Sequence, residues 1–481
     1  MDAPKIERGN TKLALKAGFW YVMSAVLTKG ISFLTTPIFA RLMSKSDYGE
    51  FSNFANWQSI LLIVVGIELY NTLSRAYYDF RDDYDQYVST VTIGSCVFTL
   101  IFFFLFWLCR GFIYRVISIP PQYTLVLFCI LMMQSCKSIY FTRERTMYRY
   151  KSVAIITMLC TVIPTLIAVA LVIFLPEAQR LSGRIYGFYI PYALFGVYCA
   201  VVMIRAGKCF KWSYFKYALV LAIPLMPHYL TTYLLTSTNV ILTKSILDAE
   251  KAAIVSVTVS VMNILTVVFQ AVTGALTTWM MDNLEQGKHD LVRKCSFIYA
   301  GAVAVISMGV MLLGPEVIWV LGGRKYAQAV TLIPGLSYSI FFQTVTTLLT
   351  IILTFDKNVV KTAIFTSAAA VLSIVARILL LPKFDYACLP LVSVVTLAIL
   401  FVVNYILVRK AGYGDCIHMK MILVVAAVVG VCTLACDLLY AHTMIRYAVV
   451  LAMGVAALIV LYRTREVWLK ILKKKKSNTE S

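Results

Sequence analysis

Residues 18–40 read Gly18-Phe19-Trp20-Tyr21-Val22-Met23-Ser24-Ala25-Val26-Leu27-Thr28-Lys29-Gly30-Ile31-Ser32-Phe33-Leu34-Thr35-Thr36-Pro37-Ile38-Phe39-Ala40. A helix that crosses a bilayer needs about 20 mostly apolar residues. This run has that length and carries one charge, Lys29, near its middle. It is too long for the apolar core of a cleavable signal and reads as a retained first span. The rest of the chain repeats the pattern. Of its 481 residues, 60% are hydrophobic and 14% charged, with mean hydropathy +0.81. Soluble domains average about 45–50% apolar and about 25% charged residues. Those proportions exclude a water-soluble enzyme, a disordered scaffold and a secreted disulfide domain, and leave an all-α polytopic membrane protein.

About fourteen spans are expected, over 18–40, 51–73, 88–108, 122–142, 153–175, 185–204, 217–242, 253–278, 296–320, 328–354, 361–381, 387–408, 419–439 and 443–462. Breakers sit between them, among them Pro120-Pro121, Pro176-Glu177, Gly322-Gly323 and Pro382. The loops left over are too short for a soluble domain. The net charge of +21 is no signature of nucleic-acid binding, because the charges punctuate apolar runs instead of covering one face. With both termini placed inside, roughly thirty of the 44 Lys and Arg fall on the inner side and about twelve on the outer. That asymmetry predicts cytoplasmic termini and an even number of spans. The run Lys473-Lys474-Lys475-Lys476 either rests on anionic lipid headgroups or is simply solvated.

A faint internal repeat links the two halves. Met43-Ser44-Lys45-Ser46-Asp47-Tyr48-Gly49-Glu50-Phe51-Ser52 and, six spans later, Leu247-Asp248-Ala249-Glu250-Lys251-Ala252-Ala253-Ile254-Val255-Ser256 share one layout. Each has an apolar residue, a short charged turn, then an apolar residue and Ser. Six is even, so the halves would share one topology about an axis along the membrane normal; chance similarity is the alternative.

Polar residues inside the spans carry the functional reading. A charge at the midplane is costly and marks a cavity by default. Lys29 lies there, and Ser24, Thr28, Ser32, Thr35 and Thr36 recur around it at helical spacing. Arg377 shares a face with Thr362, Thr366 and Ser373, and either lines a cavity or snorkels to the outer interface. Glu68 falls on an arc with Asn53, Asn56 and Asn71 and is either a proton or cation site or a structural partner for an inner-side Arg. His228 follows Pro224 and Pro227, which interrupt the backbone ladder. It is either a cavity residue, with Thr232, Asn239 and Thr243 on its face, or a neutral packing group. Ser256, Ser260, Asn263 and Gln270 form one more stripe, and Gln343, Thr347, Thr350 and Thr354 another. Singly, such stripes can serve interhelical hydrogen bonds. Together they predict a polar lumen between the halves, with Lys29, Arg377, His228, Asn56, Asn239, Asn263 and Gln270 contacting the cargo.

No HExxH, GxSxG or Walker sequence occurs, and the twelve Cys include no CxxC. No cofactor, metal site or catalytic group is therefore expected, and transport would draw on a gradient of substrate or ions or on membrane potential.

The motifs are similar to those of Wzx-type polysaccharide flippases, which belong to the MATE, polysaccharide-transporter and MurJ-like (MOP) superfamily. They are Gly18-Phe19-Trp20, Ala40-Arg41-Leu42-Met43, Ser46-Asp47-Tyr48-Gly49-Glu50-Phe51, Lys325-Tyr326-Ala327-Gln328-Ala329 and Leu379-Leu380-Leu381-Pro382-Lys383-Phe384. The chain departs from the pattern at Asn239, where an acid often sits, and at Asp248–Ala253, which lacks the usual turn. The resemblance implies two six-helix lobes in a V, 1–211 and 212–411, followed by 412–481 with two more helices and a basic tail. It also implies a bacterial plasma-membrane flippase that moves undecaprenyl-pyrophosphate-linked oligosaccharide to the outer leaflet by alternating access, with Lys29 in its cationic cavity. The expected partners are that lipid-linked substrate, membrane lipids, a polysaccharide polymerase and glycosyltransferases, with proton or sodium coupling. Two competing readings are a MATE-like exporter, which would want carboxylates inside, and a membrane-embedded polymerase or ligase, which would want a large outer loop.

Overall fold

The computed structural model describes residues 11–147, 149–224, 226–356 and 359–455. Every element among them is helical. In lipid a backbone must satisfy its own N–H and C=O groups, so apolar runs of this length fold as helices. The first half contains α1 (Thr11–Leu42), α2 (Lys45–Gly66), α3 (Leu73–Asp79), α4 (Tyr84–Leu108), α5 (Arg110–Ile117), α6 (Thr124–Thr146), α7 (Tyr150–Phe174), α8 (Arg180–Gly207) and α9 (Trp212–Ala222). The second contains α10 (Met226–Ile246), α11 (Ala249–Glu285), α12 (His289–Leu312), α13 (Gly314–Gly322), α14 (Ile333–Phe355), α15 (Val359–Phe384), α16 (Cys388–Lys410), α17 (Met419–Ala441) and α18 (Thr443–Val455).

All fourteen expected runs lie mainly on helix where they are described. By length and hydropathy, nine helical stretches among the described residues can cross a membrane, or ten if the bent segment from Lys45 to Asp79 counts as one span. One of the nine, Lys361–Lys410, covers 50 residues. As one helix it would reach about 75 Å, more than twice a bilayer core. It is instead α15 and α16, turned back at Asp385, whose φ is 56°.

The run expected over 51–73 is not one straight helix. Ile67 and Glu68 both take left-handed backbone, with φ of 49° and 53°, and the chain bends by 51° between the two segments. Glu68 and Asn71 therefore leave the helical arc of Asn53 and Asn56. The break expected at Pro224 and Pro227 is present, between α9 and α10.

The described chain divides into two compact units, 11–43 with 53–230, and 44–52 with 231–455. The first has a core between α4, α6, α8 and α9 that includes Leu73, Tyr87, Val91, Cys199 and Ala218. Close approach depends on Gly94, where an added Cβ would run into the ring of Phe215. The second has its core in α11, α12, α14, α16 and α17, around Phe341, Leu348, Ile352 and Met311. The opening turns of α2 belong to this second unit. Ser52 and Ser256, 204 positions apart, share a hydrogen bond of 2.8 Å between their hydroxyls. These two serines close the matching stretches of the sequence repeat. Gly49 permits the approach, because a Cβ there would strike the backbone carbonyl of Ala249. The Glu50 carboxylate accepts from the Lys244 ammonium at 2.8 Å.

Candidate functional site

Within the first unit, α1, α2, α6, α7 and α8 line an open cavity of about 450 Å³. That is within the range of small-molecule sites, about 300–1,000 Å³. α1 contributes Ser24, Thr28 and Ser32, and α7 contributes Thr157, Thr161 and Thr165, each set spaced four apart so that it shares a face. The Thr28 hydroxyl donates to the Ser24 carbonyl at 2.8 Å, and that of Thr161 to the Thr157 carbonyl at 2.8 Å. The two hydroxyls also stand 3.4 Å apart, within hydrogen-bond reach of each other, and their oxygens border the cavity as acceptors. Gln58 of α2 donates its amide to Gln134 of α6, and the Tyr189 hydroxyl reaches Gln58 at 3.5 Å.

The charge in this wall comes from α6. Gln134, Lys137, Phe141 and Arg145 follow one another at three- and four-residue steps and all line the cavity. The Lys137 ammonium stands 3.8 Å from the ring centroid of Tyr192 and 5.6 Å from that of Phe141. Aromatic faces attract a cation without neutralising it, at about 0.5–2 kcal/mol. No described carboxylate pairs with Lys137, and no Asp or Glu is among the lining residues. The wall therefore combines two cations, several hydroxyl acceptors and an aromatic platform.

Three residues of the polar stripe expected on the first span, Ser24, Thr28 and Ser32, are in this wall. Lys29 lies in α1 and His228 in α10, but their side chains are outside the described residues. Asn56 is half-buried on α2, and Glu68 is buried in the bend after it. In the second unit Arg377 is 1% exposed and does not snorkel. Its Nη1 donates to the Thr238 hydroxyl at 2.8 Å and its Nη2 to that of Ser393 at 3.3 Å. Asn239, next to Thr238, is also buried, whereas Asn263 and Gln270 are exposed on α11.

Sequence reasoning missed Lys137, Arg145, Gln58, Gln134 and the α7 threonines. The signal was present in the helical spacing of Gln134 to Arg145 and of Thr157 to Thr165. Lys137 lies five residues before the expected end of its span at 142, where a lysine ordinarily reaches the interface, whereas α6 runs to Thr146. Arg143, two residues before Arg145, is a buried partner of Asp85 at 2.6 Å and of Glu144 at 2.8 Å.

No curated protein matches this chain in sequence. Its fold is similar to that of solved MOP-superfamily transporters. A lipid II flippase, MurJ, in an inward closed conformation aligns with TM-score 0.69 and 12% identity, covering 92% of this chain and 98% of that one. An inward-facing multidrug resistance transporter of the MATE family aligns with TM-score 0.56 and 12% identity, over 80% of this chain and 95% of that one. A MOP-superfamily transporter from Pyrococcus furiosus gives TM-score 0.53 and 13% identity, over 82% and 96%. Such identities speak for the fold alone. The fold and the Wzx-type motifs of the sequence agree, and a family model described as polysaccharide biosynthesis protein matches residues 14–284, more than half of the chain, which therefore belongs to that family.

Proposed function

We propose that this protein is a flippase for lipid-linked oligosaccharide, carrying an anionic pyrophosphate–sugar headgroup from the inner to the outer leaflet while the polyprenyl tail stays in lipid. The observation that carries this reading is the wall of the first-unit cavity, which pairs Lys137 and Arg145 with hydroxyls and aromatic rings and holds no carboxylate. Each part of the wall suits one part of such a cargo. Lys137 and Arg145 supply charge-assisted hydrogen bonds to phosphate oxygens. Thr28 and Thr161 offer hydroxyl oxygens that accept from sugar hydroxyls. Tyr189, Tyr192 and Phe188 offer faces for a sugar ring. A volume of about 450 Å³ suits a headgroup of one or two sugars and not a long polyprenyl chain.

Lys29, beside Thr28 in the chain, is proposed as a further cation for the same cargo. The membrane arrangement proposed with it is fourteen spans, six in each of two lobes with two more after them, and both termini cytoplasmic. The cavity would face the two sides of the membrane in turn, because a charged headgroup cannot cross an open hydrocarbon path. A MATE-like exporter of organic cations is disfavoured by the same wall, which repels such cargo.

The test is where the glycan stops in cells that lack this protein. Lipid-linked units should accumulate on the inner leaflet, surface polysaccharide should disappear, and re-expression should restore it. Accumulation of unpolymerised units on the outer leaflet would overturn the proposal in favour of a polymerase or ligase.

A further inference from the structure

On the adjoining face of α6 lies a second and much smaller space. It has a volume of about 10 Å³ and is bordered by Gly66, Glu68, Tyr70, Ser95, Ser135 and Ser138. A space of about 10–15 Å³ on this measure holds one water molecule or one small ion. Four observations point to a cation.

First, the Glu68 carboxylate is 5% exposed and has no basic partner among the described residues. Its Oε2 accepts from the Asn71 amide at 2.8 Å, with Tyr70 as a second hydrogen-bonding neighbour. A buried carboxylate without a counter-charge is expensive to keep. Second, Ser95 is 0% exposed, borders the space, and its hydroxyl has no hydrogen-bond partner. Buried hydroxyls in native proteins are almost always paired. Third, α2 ends here, at Gly66. The last four carbonyls of a helix have no partner within it and carry the negative end of its dipole. Fourth, the break that follows α2 is strained. Ile67 is β-branched and left-handed, with φ 49°, and Glu68 follows at 53°. Such backbone costs on the order of 1–3 kcal/mol per residue and persists where its surroundings require it.

We infer that Glu68, Ser95 and the carbonyl end of α2 form a binding site for one monovalent cation, sodium. Carboxylate, hydroxyl and carbonyl oxygens are the donor set of hard cations. One carboxylate balances one positive charge, whereas a divalent ion would leave a net charge buried at membrane depth. The space is at the lower limit for a water molecule, which favours sodium over the larger potassium ion. Ser135 and Ser138 of α6 complete the surround. The site is chemically distinct from the cargo cavity, which is cationic, and does not depend on what that cavity carries.

The test uses the purified full-length chain in nanodiscs, without glycolipid, so its outcome is separate from that of transport. Radioactive sodium binding should saturate near one ion per chain, and sodium should raise the melting temperature where choline at equal ionic strength does not. Potassium should compete at least tenfold more weakly. Glu68→Gln should weaken sodium binding at least tenfold, and Ser95→Ala severalfold. If Glu68→Gln fails to fold, Glu68→Asp together with Ser95→Ala supplies the comparison. Absence of saturable binding by the unaltered chain would overturn the assignment. So would binding left unchanged in the Glu68 and Ser95 variants, or a thermal response to pH alone.

Discussion

Lys137 in the first unit and Arg377 in the second are both basic groups on apolar helices, held in different ways. Lys137 lies against the faces of Tyr192 and Phe141 and borders a cavity of about 450 Å³. Arg377 is 1% exposed, with two of its nitrogens spent on the hydroxyls of Thr238 and Ser393. Ring faces hold an ammonium while leaving its protons for a ligand; two hydroxyls take two of the five N–H donors of the Arg377 guanidinium, whose Nε is buried without a hydrogen-bond partner. The comparison teaches that a charge within a span is not by itself a cargo site. What matters is whether its donors border a space that a ligand can enter.

The largest effect should follow from removing the available charge. Lys137→Ala should lower glycan export about ten- to a hundredfold at equal membrane abundance, as expected for losing a hydrogen bond to a charged group, about 1.5–3 kcal/mol. Lys137→Arg should keep part of the activity, since it keeps the charge but alters its shape. Export assays normalised to protein in the membrane check both.

Arg377→Met sharpens the other side of the comparison. It strips partners from Thr238 and Ser393, so the loss should appear as stability, about 1–3 kcal/mol, read as a lower melting temperature and abundance. A stable Arg377→Met protein with lost export would instead return Arg377 to the cargo path expected from its sequence position. Smaller changes belong to the cradle of Lys137. Tyr192→Leu removes the ring 3.8 Å from the ammonium and should cost about 0.5–1 kcal/mol, or roughly two- to fivefold in export. Thr161→Val keeps the shape and removes one acceptor, and should cost no more than about threefold.

Much of this was legible in the sequence, for reasons that can be stated residue by residue. The apolar runs announced the helices, because lipid leaves the backbone few alternatives. Ser24, Thr28 and Ser32 announced a polar wall, because hydroxyls four apart on an apolar helix share one face. Lys137 was harder. It lies in the last third of its run, where a lysine ordinarily reaches the interface, and only the extension of α6 to Thr146 places it deeper. The bend at Ile67 and Glu68 was barely legible. Gly66 stands just before it, but the positive φ falls on Ile67 and Glu68, and a β-branched residue with positive φ runs against its own backbone preference. The pairing of Arg377 with Ser393 crosses one turn and that with Thr238 reaches back to α10, 139 positions away, and no helical spacing encodes either.

Sign of charge is the core of the functional reading, and affinity tests it most directly. The purified chain in nanodiscs would be titrated with a short-chain polyprenyl-pyrophosphate disaccharide and, separately, with the organic cation ethidium. The expected result is saturable binding of the pyrophosphate lipid that weakens at least tenfold in Lys137→Ala, with ethidium bound more weakly than the lipid. Ethidium binding more tightly than the pyrophosphate lipid, or lipid affinity indifferent to Lys137, would contradict the assignment of this cavity to an anionic glycan headgroup.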